Sequence, residues 1–154
     1  HWEGDTVIGA AHKHAIVTVI ERKSGFAVIA KVSRKTAEQV SNAIIERLAP
    51  LASRVKSLTY DNGKEFAEHA KIDIALKSTS YFADPFASWQ RGTNENFNGL
   101  LRQYIPKKRH LSSVTDKELK MIEDRLNHRP RKRLGFKTPF QVFYESLNRV
   151  ALHT

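Results

Sequence analysis

The chain opens with three short runs in which apolar side chains crowd together at β-like spacing: Trp2 to Ala10, Ala15 to Ile20 and Phe26 to Val32. The last two are separated by Arg22-Lys23-Ser24-Gly25, a cluster of turn formers. Consecutive strands joined by such short connections predict an antiparallel meander. The pattern then changes period. Thr36-Ala-Glu-Gln39 has the form of a capping box, and Val40, Ala43, Ile44 and Leu48 recur at helical spacing until Pro50 ends the run. Val55 to Tyr60 reads as another strand, closed by the turn signal Asp61-Asn62-Gly63. A helical stretch follows from Lys64 to Leu76, with Phe66, Ala70 and Ile74 as its apolar side, and a short strand is expected at Lys77 to Phe82.

The C-terminal half is helical in pattern. Gly92-Thr93-Asn94 is a loop and cap before a helix that runs to Ile105, where Pro106 stops it. Thr115-Asp-Lys-Glu118 caps a further helix with the stripe Leu119, Ile122 and Leu126, and Thr138-Pro139 opens the last, with Val142, Phe143 and Leu147 facing in. The order βββαβαβααα predicts an α/β domain with a mixed five-stranded sheet flanked by helices, and that order fits an RNase H-like core.

Three acids occupy the positions where such a fold brings carboxylates towards one point. Asp5 lies in the first strand and Asp61 directly follows the fourth, at a C-terminal strand end where ligand sites of α/β sheets gather. Glu95 falls in the first turn of its helix, where the dipole favours an anion. At 100° per residue Glu95, Asn98 and Arg102 lie within about 60° of one another, while Phe97, Leu100, Leu101 and Tyr104 cluster on the opposite side. Other acids read differently. Asp84 before Pro85 suits a turn and Glu65 and Glu68 suit a solvated helical face, whereas Glu3 shares a strand face with Asp5 and is the closest rival. Asn62 is expected to shape the turn after Asp61, the alternative being a role in positioning water. His12, His14, His69, His110, His128 and His153 show no ligand spacing beyond His12-Lys13-His14 and read as surface residues, while His1 is near Asp5 only in sequence and takes no role.

Charge narrows the partner. Residues 1–100 carry 13 Lys and Arg against 11 Asp and Glu, whereas residues 101–154 carry 13 against 5, so the last third holds most of the net +10. The cations concentrate in Arg102, Lys107-Lys108-Arg109 and Arg129-Pro-Arg131-Lys132-Arg133. A polyanion held through phosphates is the natural partner, set against the alternative of a merely solvated surface. A length of 154 residues with 40% apolar content and no low-complexity linker indicates a single domain over 1–154. No apolar run is long enough to span a membrane, and the lack of cysteine excludes disulfides and thiolate zinc sites. A start at His1 rather than Met suggests excision from a longer polypeptide.

Four blocks then carry a resemblance: His1-Trp-Glu-Gly-Asp5, Tyr60-Asp-Asn-Gly-Lys-Glu-Phe66, Asp84-Pro-Phe-Ala-Ser-Trp-Gln-Arg-Gly-Thr-Asn-Glu-Asn96, and Asn127-His-Arg-Pro-Arg-Lys-Arg-Leu-Gly-Phe-Lys-Thr-Pro139. In this order, with 33 residues between Asp61 and Glu95, they resemble the transposases of insertion-sequence family 30 across essentially the whole chain, and more loosely the catalytic cores of retroviral integrases. The resemblance implies a DDE recombinase core in which Asp5, Asp61 and Glu95 hold two Mg²⁺ or Mn²⁺ ions, Asp5 bridging both. Hard cations take oxygen ligands, and a metal pair screens the phosphate, activates the nucleophile and stabilises the leaving oxygen.

The resemblance further implies water-driven nicking at the element's end, then attack by the freed 3′ hydroxyl, with no covalent enzyme intermediate on Ser88, Tyr81 or Tyr104. Expected partners are terminal-repeat and target DNA, further copies of the chain, and an upstream helix-turn-helix, in a bacterial cytoplasmic, nucleoid-associated setting. Candidate DNA contacts are Trp89, Arg91, Asn98, Arg102, Lys107, Lys108, Arg109, Arg131, Lys132 and Arg133. Trp89 and Gln90 either meet a splayed base or, for Trp89, anchor the loop. Two other readings stay open: a noncatalytic DNA-binding or assembly module of the same fold, and an RNase H-type nuclease acting on hybrid duplexes.

Overall fold

A computed structural model describes residues 1–85 and 92–145. The three opening runs form β1 (Trp2–Ile8), β2 (Ala15–Glu21) and β3 (Ala27–Val32), an antiparallel meander in which Asp5 pairs with Thr18 and Thr18 with Ile29. The β2–β3 turn needs Gly25, whose φ of +75° would strain any side chain. β4 (Ser57–Tyr60) lies parallel to β1, and β5 (Thr79–Phe82) parallel to β4, giving the sheet order β3-β2-β1-β4-β5.

Period two divides the core. Trp2, Val17, Val19, Val28, Val32, Leu58 and Tyr60 point to one face, where they pack with α1 (Ala37–Leu48), α2 (His69–Leu76) and Phe143 of the helical residues 139–145. Val7, Ile16, Ile20, Ala27 and Ile29 point to the other, against α3 (Gly92–Leu101) and α4 (Asp116–Asn127). Asp5 and Glu3 alternate with Trp2 and Gly4 and so belong to the α3 face.

Three of the expected caps form, whereas Gly92-Thr93-Asn94, expected as a loop and cap, already belongs to α3. Thr36 Oγ1 accepts from Gln39 N and Thr115 Oγ1 from Glu118 N, and at the last helix Thr138 and Gln141 exchange both bonds of a capping box. Three further expectations need correction. The stretch 64–76 is not one helix: a 3₁₀ turn at Lys64–Phe66 precedes α2, and this break resets the helical phase. Ile72 and Leu76 therefore face the core with Phe66, while Ile74 is 81% exposed. The same turn buries Glu65, which had read as solvated. α3 also ends earlier than Ile105, because Gln103 N and Tyr104 N bond three residues back, to Leu100 O and Leu101 O, on the approach to Pro106.

β3 is an edge strand, and α4 covers it with polar side chains. Asn127 accepts from Ala27 N at 2.9 Å and donates to Ala27 O at 2.8 Å, reproducing a strand partner, and Glu123 Oε2 accepts from Ile29 N at 2.9 Å. Arg47 of α1 closes on the same carboxylate.

Candidate active site

β1 and β4 set the first two acids. Their register pairs Trp2 with Leu58 and Glu3 with Thr59, and continuing it by two residues brings Asp5 level with Asp61, just beyond the end of the adjacent parallel strand. Neighbouring strands lie about 4.8 Å apart, and side chains at equal register in parallel strands share a face. Asp61 follows the last residue of β4, where its Oδ1 accepts from Gly63 N at 2.8 Å. The Asp61 carboxylate itself thus shapes the turn, while the Asn62 amide reaches across to Ala83 O.

The third element is attached to β1 at successive levels. Asn94 N donates to the Glu3 carboxylate at 3.4 Å, Asn98 Nδ2 to Asp5 Oδ2 at 3.0 Å, and Arg102 Nη2 to Ile8 O at 2.8 Å. α3 therefore runs along β1 in the strand's own direction. The buried Asn94 amide satisfies both its groups when its nitrogen donates to Glu3 O and its oxygen accepts from Asp5 N. Phe97 and Leu101 turn towards the core on the β2 side, which leaves Glu95, one turn before Asn98, exposed on the opposite flank. Asp5, Asp61 and α3 thus meet at one end of the β1–β4 seam. Among the described residues no three His, Asp or Glu side chains already surround a single point closely enough to hold an ion.

Glu3 is accounted for otherwise. It is 1% exposed, pairs with Arg22 at 3.1 Å and accepts from the backbone of Asn94, so it joins β1, the end of β2 and the start of α3. Glu65, also buried, accepts from Thr6 Oγ1 at 3.0 Å and lies 3.4 Å from Lys35 Nζ. It links the residue after Asp5 to the segment after Asp61. A methyl group on Gly63 would fall against the Glu65 carboxylate and 2.8 Å from Asp61 Oδ1, so glycine serves here as space rather than for an unusual φ.

The other sequence candidates separate by what they already bind. Asn98 holds Asp5 and accepts from Thr18 Oγ1 at 3.3 Å, so its amide is engaged within the fold. Arg102 is fixed to Ile8 O, and its burial pulls the guanidinium below its usual range. Arg109 forms a two-pronged pair with Glu118 at 2.5 and 2.7 Å; that hydrogen bonding raises the arginine and lowers the acid. Lys107, Lys108 and Lys132 are exposed, Arg133 is exposed but donates from Nη1 to Lys23 O at 3.2 Å, and Arg131 is partly buried with its Nη2 on Leu126 O. Trp89 and Arg91 lie outside the described residues, as do Ser88 and Gln90.

Sequence reasoning missed Asn94, Thr18 and Glu65. Asn94 and Asn98 stand four residues apart beside Phe97 and Leu101, and two amides on a buried stripe were the available signal. A cleft of about 600 Å³ runs beside this site, between Gly92, Thr93 and Asn96 of α3 and the basic segment from Arg129 to Arg133.

No protein-family model matches the chain. Among curated proteins it is 47% identical over 146 residues to the transposase for insertion sequence element IS4351 of Bacteroides fragilis, which covers 95% of this chain and 45% of that protein. It is 45% identical over 143 residues to the transposase InsI for insertion sequence element IS30A of Escherichia coli K12, covering 92% and 37%. Against the transposase for insertion sequence element IS1086 of Cupriavidus metallidurans it is 43% identical over 148 residues, covering 96% and 44%. The chain spans less than half the length of these relatives. Among solved structures it superposes on the catalytic core domain of BIV integrase with a TM-score of 0.69 at 24% identity, covering 97% of both chains. It matches a chain of a simian T-cell lymphotropic virus intasome, solved with PP2A regulatory subunit B56 gamma, with a TM-score of 0.65 at 18% identity, covering 91% of this chain and 52% of that one. The fold is that of integrase catalytic cores, the RNase H-like fold expected from the element order.

Proposed function

Because the chain belongs to the insertion-sequence family 30 transposases, we propose that it is the catalytic core of such an enzyme, a single domain within a longer polypeptide, cleaving insertion-sequence ends and joining them to target DNA. The observation that carries this reading is the parallel register of β1 and β4, which continued by two residues sets Asp5 beside Asp61 at the end of β4, with the Glu95 helix fastened across Asp5 by Asn98.

The donor set fits a hard divalent cation. Asp5, Asp61 and Glu95 offer only carboxylate oxygens, and no cysteine is present to favour a softer metal. These three residues would hold two Mg²⁺ or Mn²⁺ ions. When bound, such ions screen the phosphate, promote formation of the attacking oxygen nucleophile and stabilise the leaving 3′ oxygen. The chain's own residues prepare this. Asn98 and Thr6 N fix the two Asp5 oxygens, Gly63 N fixes one oxygen of Asp61, and Glu65 ties the two acid-bearing segments together through Thr6. Glu95, exposed at the start of its helix, completes the set from the third side. Water and then a 3′ hydroxyl attack in line, with the DNA held by Lys107, Lys108, Lys132 and Arg133 through phosphates. Two DNA ends must be brought together, so the active form is an assembly of several copies on DNA.

The test joins the chain to the rest of its transposase and offers terminal-repeat duplex DNA and an RNA–DNA hybrid in Mg²⁺ or Mn²⁺. Nicking and joining of the DNA, lost on chelation, is the expected result. Binding without cleavage in either metal would leave a noncatalytic module, and cleavage confined to the hybrid would leave an RNase H-type nuclease.

Gly63→Ala gives a second check. The added methyl displaces the Glu65 carboxylate from Thr6 and crowds Asp61. Strand transfer should fall about 10- to 100-fold, the range for lost support of a metal ligand. Raising the Mn²⁺ concentration should recover part of it. Parent-level activity at limiting metal would show that the close approach at Gly63 is irrelevant to the site.

A further inference from the structure

The segment from Arg131 to Lys137 is a closed loop built to present an aromatic ring. Its ends are tied by Arg131 N to Lys137 O at 3.0 Å and Phe136 N to Arg131 O at 2.9 Å, and a 3₁₀ turn at Lys132–Leu134 fills it. Gly135 and Phe136 both adopt left-handed backbone, with φ of +63° and +66°. Glycine takes this conformation freely; an aromatic L-residue does so at a cost. Yet Phe136 is 70% exposed and takes part in none of the ring contacts among the described residues, so burial does not offset that cost. Phe140, only four residues on, stacks on His128 and packs against Tyr144. The aromatic cluster beside the loop is complete without Phe136.

The surrounding charge indicates the occupant. Arg22, Arg47, Arg109, Lys120 and Lys137 each have a carboxylate partner. Among the described residues Arg129, Arg131, Lys132 and Arg133 form no ion pair, although they crowd within five positions. Burial and the like charges of Arg129 and Arg133 pull the Arg131 guanidinium below its usual range, a strain that an anion among them would relieve. The same segment lines one wall of the cleft whose other wall is the start of the Glu95 helix.

We propose that the loop 131–137 is a DNA-contacting element in which Phe136 stacks on an unpaired base while Lys132 and Arg133 hold the adjoining phosphates. It rests on the reading of the chain as a DNA-processing core. An exposed ring gains little from a duplex whose bases are already stacked, and gains most from a base freed at an end or a distortion. Backbone bonds within the loop tie its ends together, so Phe136 is presented at the surface in the absence of DNA.

The 154-residue chain is titrated with two duplexes of the same sequence, one blunt and one with a short single-stranded overhang carrying 2-aminopurine. The parent should bind the overhang DNA more tightly and quench the probe. Phe136→Ala should lose about tenfold in affinity for the overhang DNA, the lower end expected for one stacked base, with little change for the blunt duplex. Phe136→Gly, which suits the left-handed backbone, should lose as much and so exclude misfolding as the cause. Lys132→Gln with Arg133→Gln should weaken both duplexes and reduce the slope of log affinity against log salt by about 2.

Equal overhang binding by parent and Phe136→Ala overturns the proposal. So does a Phe136→Ala effect confined to self-association in sedimentation, which would make the ring a contact to a second copy. Failure here with an inactive Asp61→Asn enzyme leaves the catalytic reading intact; an active Asp61→Asn enzyme removes that reading whatever Phe136 does.

Discussion

Asp61→Asn is expected to lower nicking and strand transfer by on the order of a thousandfold or more, because a metal-held phosphoryl transition state is worth several kcal/mol at 1.36 kcal/mol per tenfold. The same change should move the melting temperature by no more than about 2 °C. The asparagine oxygen still accepts from Gly63 N, so the turn after β4 keeps its shape, and what is removed is charge at a strand end. Asp61 is a better choice than Asp5 for this test. An amide at position 5 would set an NH₂ group against either the Asn98 amide or Thr6 N, mixing a structural lesion with a chemical one. Joining of terminal-repeat DNA by Asp61→Asn at the parent's rate, in Mg²⁺ and in Mn²⁺, would dismiss the carboxylate site.

The sheet and most helices were legible because their signals are local. The apolar runs marked the strands, period two put Glu3 and Asp5 on one face, and Thr36, Thr115 and Thr138 marked helix starts that form. The level placement of Asp5 and Asp61 depends on strand order and on the β1–β4 register, neither of which the order of elements fixes. Less visible were features that depend on a change of phase or on a distant partner. Lys64 to Leu76 carries an apolar pattern compatible with one helix, and only packing reveals the 3₁₀ turn that puts Ile74 outside and Glu65 inside. The roles of Asn98 and Arg109 depend on Asp5 and Glu118, neither of which helical spacing can single out.

Acids and cations near the seam sort by the same criterion, namely what each one already satisfies. Glu3 and Glu65 are buried, and each has a cation and a hydrogen-bond donor, as a charge removed from water requires. They hold β1, α3 and the segment after Asp61 together. Asp5 and Asp61 are only partly buried and Glu95 is exposed, so these three sit at the boundary between the scaffold and solvent. On the proposed assignment this arrangement fixes the supporting charges inside and sets the metal-holding carboxylates at the rim, which would let the site meet a phosphate without rebuilding its own scaffold.

The scaffold's own weak point lies at the opposite edge of the sheet, and there the expected effect is on stability. Glu123→Ala should destabilise the chain by about 3 kcal/mol, combining a buried unpaired amide with a broken ion pair. The Ile29 N–H would lose its acceptor, and Arg47 would lose both oxygens it now holds. Arg47 is 34% exposed and recovers part of its loss from water, so the amide carries much of the cost. At about 2–4 °C per kcal/mol for a chain of this size, the melting temperature should fall by roughly 6–12 °C. Glu123→Gln retains an oxygen for Ile29 N and should lose much less. With α4 loosened, β3 presents an unpaired edge, and light scattering during thermal unfolding should report earlier aggregation. Because β3 and β4 lie on opposite sides of β1, activity per folded molecule should stay near the parent's, the reverse of the Asp61→Asn outcome. A melting temperature unchanged in Glu123→Ala would mean that Asn127 and the apolar residues Leu119, Ile122 and Leu126 hold the edge without Glu123.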